Sequence, residues 1–140
     1  MKFIRLTLMA LLMTVATASH AKQVLEPHVY MFGFSGSFTD SLIYMTDIQD
    51  VQLVWMDSKT KFLIGRDYYS EQLKTFLSEQ KQQPNRVCVV FFAKSKKKAE
   101  KQFLKLRKKY LTNKKNTSSY DVRYITQQEF KFEPVDANEE

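Results

Sequence analysis

Cysteine occurs once, at Cys88, so no internal disulfide can form even in an oxidising compartment. Glycine is confined to Gly33, Gly36 and Gly65, which excludes the glycine-rich fingerprints of dinucleotide and P-loop phosphate binding. With so little glycine and only three prolines, a loop-rich scaffold or a sandwich of many short strands is also excluded. Histidine occurs twice, and one of the two, His20, falls in a segment expected to be removed. His28 alone leaves no material for a histidine triad or a zinc site. What the chain does have is apolar side chains (44%) and aromatics (14%), enough for a real core. Its 140 residues fit one domain.

Residues 1–21 have the grammar of an export signal. Lys2 and Arg5 form a positive start, Leu6 to Val15 an apolar run, and Ala16 to Ala21 a stretch of small residues. Cleavage is expected after Ala21, with Ala18 as the alternative. The apolar run is shorter than the roughly 20 residues of a spanning helix, so a membrane anchor fits less well. No cysteine follows it to carry a lipid. The chain from residue 22 is therefore expected to be periplasmic or secreted, without a transmembrane segment. Residues 22–134 are expected to form a single α/β domain, and 135–140 an acidic, disordered tail.

The stretch Arg86 to Lys94 (R-V-C-V-V-F-F-A-K) predicts a strand covered on both faces, because seven apolar or thiol side chains follow one another without alternation. It is expected to be the central strand, with Cys88, Val90 and Phe92 on one face and Cys88 a core thiol. Upstream, Lys22 to Pro27 reads as a polar lead-in. Val29–Phe38 and Ser41–Asp47 then read as a hairpin turning at Thr39-Asp40, with Gly33 marking a bulge or a close backbone approach. Residues 48–65 stay open between a strand pair around an Asp57–Thr60 turn and the start of a helix.

Tyr69, Leu73, Phe76 and Leu77 lie on one helical face, with Asp67 as the expected N-cap. A second helix is expected over Lys96–Leu111, about 24 Å long at the usual rise. It sets Ala99, Phe103, Leu106 and Tyr110 on one side and Lys97, Lys101, Lys105 and Lys108 on the other. Tyr120–Tyr124 alternates as a half-buried strand, and Phe130 and Phe132 read as a short extension or an edge strand. The order β-β-(open)-α-β-α-β predicts an α+β, α/β-like fold: a mixed sheet of four to five strands with two main helices. A right-handed crossover would set Tyr120–Thr126 parallel to the central strand.

Charge is distributed unevenly. The chain carries +7, or +5 without Lys2 and Arg5. Between residues 86 and 115 twelve Lys or Arg accompany one acid, Glu100, whereas Asp40, Asp47, Asp50 and Asp57 lie in a stretch with no base before Lys59. Lys96, Lys97 and Lys98 occupy the first turn of the second helix, where the helix dipole disfavours cations. Local chemistry that opposes its own element can mark a site, and amides with ammonium groups suit an anion. The candidate anion-binding residues are therefore Lys96, Lys97, Lys98, Lys101, Lys105 and Lys108; the competing reading is a solvated basic face. An anionic envelope glycolipid, an acidic glycan or an acidic protein fits as partner. Self-association of basic face with acidic region is a further option. Nucleic acid fits poorly with export and with the lack of any recognised nucleic-acid module.

No catalytic residue, metal or cofactor is called for by any motif. Gly33-Phe34-Ser35-Gly36-Ser37 approaches the serine-hydrolase elbow G-x-S-x-G, but Ser37 stands at the final glycine position. Asp40 with Asp47 would permit acid–base chemistry on a glycan or phosphodiester, and a carboxylate-dependent hydrolase is the alternative to a binding or accessory domain. Asn116-Thr117-Ser118 matches a glycosylation acceptor.

Two resemblances attach to particular strings. Val29-Tyr30-Met31 and Ile43-Tyr44-Met45 resemble the paired strands of GIY-YIG endonucleases; this would imply a hairpin, Arg66 as the helical arginine and a metal-binding Glu. Met45 stands where that family has glycine, and no Glu fills the metal position. Phe38–Tyr44, Thr46–Gln49 and Arg66–Leu73 resemble segments of small exported Bacteroidales proteins of unknown function, which implies a Gram-negative envelope and no particular activity.

Overall fold

A computed structural model describes residues 22–111 and 120–136. The expected signal segment, the Asn116-Thr117-Ser118 tripeptide and the last four residues lie outside the described residues. Among the described residues, five strands and two helices follow in the order β1 (Gln23–Gly36), β2 (Leu42–Thr46), β3 (Gln49–Asp57), α1 (Arg66–Gln80), β4 (Val87–Ala93), α2 (Lys96–Leu111) and β5 (Asp121–Ile125). The expected α+β class, mixed sheet and two helices are all present. Residues 48–65 resolve as β3, a turn and a short return. In that turn Asp57 Oδ1 accepts from the Lys59 and Thr60 amides, and Leu63 then bridges back to Met56.

The hub is β1, not the 86–94 stretch. β1 pairs antiparallel with β2, β3 and β4, while β4 pairs only with β1 among the described residues. β2 and β3 together form one long return strand. Phe34 faces Met45 and Met31 faces Gln49, so two residues of β1 oppose three between them. That extra residue is a β-bulge, and Thr46 fills it: its Oγ1 accepts from Gly33 N–H at 2.8 Å and donates to Asp47 C=O at 3.0 Å. β5 lies parallel to β2, on the far side from β4, so the α2 crossover passes over β1 and β2. It runs in the direction of β4, as expected, but is not its neighbour. The expected lead-in Lys22–Pro27 is also mostly strand, because Gln23 to Glu26 pair with Trp55 to Asp57 and Val54.

Alternation divides the core between two layers. Val29, Met31, Tyr44, Val90 and Ile125 turn to one face and pack on Tyr69, Leu73 and Leu77 of α1. Phe32, Ile43 and Met45 turn to the other and pack on Phe103, Leu106 and Tyr110 of α2. Both helical faces are the ones expected from spacing. Ring contacts anchor α2: Phe32, itself stacked on Phe91 of β4 (5.1 Å), meets Phe103 edge-on (5.2 Å), and Phe34 lies 5.0 Å from Tyr110. Each such pair contributes about 0.5–1.5 kcal/mol beyond burial. Gly33 provides the close approach expected of it, since a Cβ there would stand 2.5 Å from Leu73 Cδ2.

β4 is covered by a helix on each face, which is why it reads as a central strand, yet it lies at the sheet edge. Gly33 N–H points toward β2, so the facing residue, Val90, directs its own polar groups away from β1. Arg66 closes that edge, donating Nε (3.0 Å) and Nη2 (2.8 Å) to Val90 C=O with its guanidinium over the Phe92 ring. The N-cap of α1 is Gly65, at φ 75°, rather than Asp67, which lies within the first turn.

Residues 130–135 form no strand. Two glutamines bind this segment instead. Buried Gln49 donates to Phe130 C=O (2.9 Å) and accepts from Phe132 N–H (2.8 Å); Gln72 makes the same pair of bonds with Glu133 at the surface (3.0 and 2.9 Å). Val135, expected in the tail, is buried, and its N–H donates to Tyr69 Oη at 3.0 Å. The packed chain thus extends past residue 134.

Candidate anion-binding surface

The helix that carries the candidate lysines runs Lys96–Leu111, the expected bounds. Ser95 starts it, with Oγ accepting from Lys98 N–H at 3.4 Å and its carbonyl from Ala99 N–H at 3.1 Å. Because Ala99, Phe103, Leu106 and Tyr110 seat the helix on the sheet, the 100° step per residue turns Lys97, Lys101, Lys105 and Lys108 outward, all exposed. These four span about 17 Å along the axis. Lys96 and Lys98 are exposed in the first turn, which has no acid to offset them. Among the described residues none of the six forms an ion pair.

The six do not converge on one point. Lys98 alone lies against a cleft of about 310 Å³ lined by Met56, Lys61, Phe92, Ala93, Lys94 and Ser95. Lys94 is held there by Glu26 at 2.9 Å. Lys61 escaped sequence reasoning because it falls in the stretch left open; only its place after the Asp57–Thr60 turn signals it. The other candidates form a stripe on the helix.

The basic and acidic regions interleave at two places, which reduces the charge separation expected from sequence. Arg86, 3% exposed, directs Nη1 and Nη2 to the Asp40 carboxylate (3.1 and 3.2 Å), with further bonds to Gln83 Oε1 and Leu42 C=O and its face over the Tyr44 ring. Those guanidinium hydrogen bonds, aided by the Leu42 amide, hold the Asp40 carboxyl below the usual carboxylate value. Glu26–Lys94 is the second such place. Neither reaches the α2 stripe.

All four aspartates of the acidic stretch are committed locally. Asp40 binds Arg86, Asp47 accepts from Gln127 N–H (3.1 Å), Asp50 pairs with His28 (3.0 Å), and Asp57 shapes its turn. Gly33–Gly36 of the elbow-like string is extended strand with Ser35 buried, so it forms no nucleophile turn. Cys88 is half-buried opposite Ser35; burial pushes its thiol up, against smaller downward pulls from the Ser35 hydroxyl and nearby Lys74 and Arg86. The two aromatic triplets of the nuclease-like string are not cross-strand partners, since Val29–Met31 faces β3, and Arg66 serves the β4 edge. Among the described residues no three His, Cys, Asp or Glu form a metal-holding group, and no helix is long and apolar enough to cross a membrane. No family model, curated protein or solved structure matches this chain.

Proposed function

We propose that this chain is an exported binding or accessory domain that docks an anionic envelope partner against the outer face of α2. The observation that carries the reading is the stripe Lys97, Lys101, Lys105 and Lys108: four exposed ammonium groups with no ion pair among the described residues, on a fold that does pair Arg86 and Lys94. Like charges at i, i+4 cost a helix about 0.2–0.5 kcal/mol per pair, and cations in the first turn add to that. A bound anion reverses the sign of both effects. Attraction would be long-range and salt-sensitive, with a screening length of about 8 Å at physiological ionic strength.

The test is retention on heparin across a salt gradient. Lys101→Glu/Lys105→Glu is compared with Lys74→Glu/Lys131→Glu, which matches its net charge at exposed positions off the helix. Circular dichroism confirms that both remain folded. Earlier elution of the helix variant alone supports the reading; equal shifts would show that only net charge matters and refute it.

A further inference from the structure

The far end of the sheet carries an apolar surface that neither core layer uses. Beyond the reach of β4, the strand pair β1–β3 continues as a ribbon, widened by the return at Phe62–Ile64. Val24, Val54, Met56 and Leu63 turn inward to the α1 layer. Alternation therefore turns their neighbours the other way. Leu25 lies directly across from Trp55, and Ile64 N–H donates to Trp55 C=O at 3.1 Å, so these three side chains make a row across the ribbon. Phe62 follows one step along, where Asp57 N–H donates to its carbonyl at 3.0 Å. Leu25, Leu53 and Phe62 are 45%, 59% and 66% exposed, and Trp55 is partly exposed.

Leu53 adds a second observation. It sits opposite Pro27 at φ 58°, a left-handed backbone that asparagine or glycine adopts far more readily than leucine. The kink lets Val51 and Val54, three residues apart, both face the core, and it leaves the leucine side chain in water. Nothing in the packing of the core requires a leucine there.

The rim is cationic. Ser58 N–H donates to Lys22 C=O at 2.8 Å, which holds Lys22 beside the ribbon tip with Lys59 and Lys61. Lys61 also borders the cleft that contains Lys94 and Lys98. Of the nearby acids, Asp57 is engaged in its turn and Glu26 is paired with Lys94.

We infer that this face seats the protein on the surface of an anionic lipid bilayer, with Trp55, Leu53, Leu25 and Phe62 at the headgroup–acyl boundary and the rim lysines against lipid phosphates. Tryptophan with aliphatic neighbours suits that boundary, and anionic lipids complement the rim. A second copy of the chain fits less well, since symmetric pairing of this face would set one lysine rim against the other. The inference deepens the anionic-partner reading and rests on it, choosing lipid over glycan or acidic protein.

Trp55 is the chain's single tryptophan, so its fluorescence reports on this face alone. The mature protein is mixed with vesicles of phosphatidylcholine, with or without phosphatidylglycerol. Co-sedimentation and Trp55 emission are then followed. The expected result is partition into the anionic vesicles with a blue shift. Leu53→Asn/Phe62→Ser should weaken that partition about tenfold or more, given the apolar area withdrawn, and leave heparin retention unchanged. Both substitutions are at exposed sites and asparagine suits the local backbone, so an unchanged melting curve is expected to confirm folding. Partition equal to wild type in the double variant would overturn the inference. Heparin retention through α2 without vesicle binding would overturn it while leaving the anionic-partner reading intact. A stable dimer that buries Trp55 and ignores vesicles would assign the face to a second copy and overturn it too. Binding to neither heparin nor vesicles would remove both readings.

Discussion

Replacing Gln49 with leucine keeps the side chain's bulk and removes both bonds that hold Phe130 and Phe132. The Phe130 carbonyl and the Phe132 amide are then buried without partners, because Gln49 is 1% exposed and its two bonds lie inside the α1 layer. Each orphaned group costs about 1–3 kcal/mol, partly offset by the added apolar burial, for a net loss of about 2–4 kcal/mol. Gln72→Leu removes the same two bonds at Glu133, but at the surface, where water replaces them; about 1 kcal/mol or less is expected. Urea denaturation of both variants measures the contrast, and heating should lower the midpoint by roughly 8–16 °C for Gln49→Leu. If the segment detaches before the whole domain unfolds, the loss is capped by that local opening, and hydrogen exchange at Phe132 shows it. Equal losses in the two variants would refute the claim that burial, rather than bond count, sets the cost.

Two further predictions follow from the strand connections. The Asp40 carboxyl is held below its ordinary 3.8 by Arg86 in the folded state, so its contribution is present above that value and lost as pH falls through the lower, folded one. Asp40→Asn should flatten this part of the stability–pH curve, measured by denaturant midpoints at stepped acid pH. It should leave the similar acid dependence of Glu129, which the Thr126 amide and Lys81 hold down. Gly65→Ala should destabilise by about 1–3 kcal/mol in urea, because φ 75° disfavours a side chain and the new Cβ would stand 2.8 Å from Val135 Cγ1.

Much of the architecture was legible because faces leave marks on side chains. The 3.6-residue spacing of Tyr69, Leu73 and Leu77, and of Ala99, Phe103, Leu106 and Tyr110, reported which sides of α1 and α2 are buried. Edges leave no such mark. Val87–Ala93 needs apolar residues on both sides because a helix covers each, and the missing hydrogen-bonded neighbour is hidden in the backbone. Conversely β1, which has three paired neighbours, contains Pro27, Gly33, Ser35 and Gly36 and reads as interrupted. The course of residues 130–135 is hidden for a related reason: Gln49 and Gln72 bind the backbone at Phe130, Phe132 and Glu133, and Tyr69 binds it at Val135, all distant side chains that no local pattern announces. The candidate lysines were legible as a stripe, while Lys61 and the Leu25–Trp55–Phe62 face became visible only with the register of the ribbon.

The two surfaces have a common origin in the way the sheet is covered. α2 is held by ring contacts to Phe32 and Phe34, so its outer side chains are not needed to keep it in place. A helix held only by its own propensity would gain from Glu–Lys pairs along that outer face. Here Glu100 is its only acid, and no ion pair joins it to a neighbouring lysine. At the other end, neither core layer takes up the outer face of the β1–β3 ribbon, which leaves Leu25 and Phe62 in water. Packing therefore decides the composition of neither surface, and a solvent-facing optimum would favour fewer like charges on the first and fewer large apolar groups on the second. Both departures point to contacts made outside the chain. The cleft at Lys61, Lys94 and Lys98 draws its lysines from the turn after β3, from the end of β4 and from the first turn of α2.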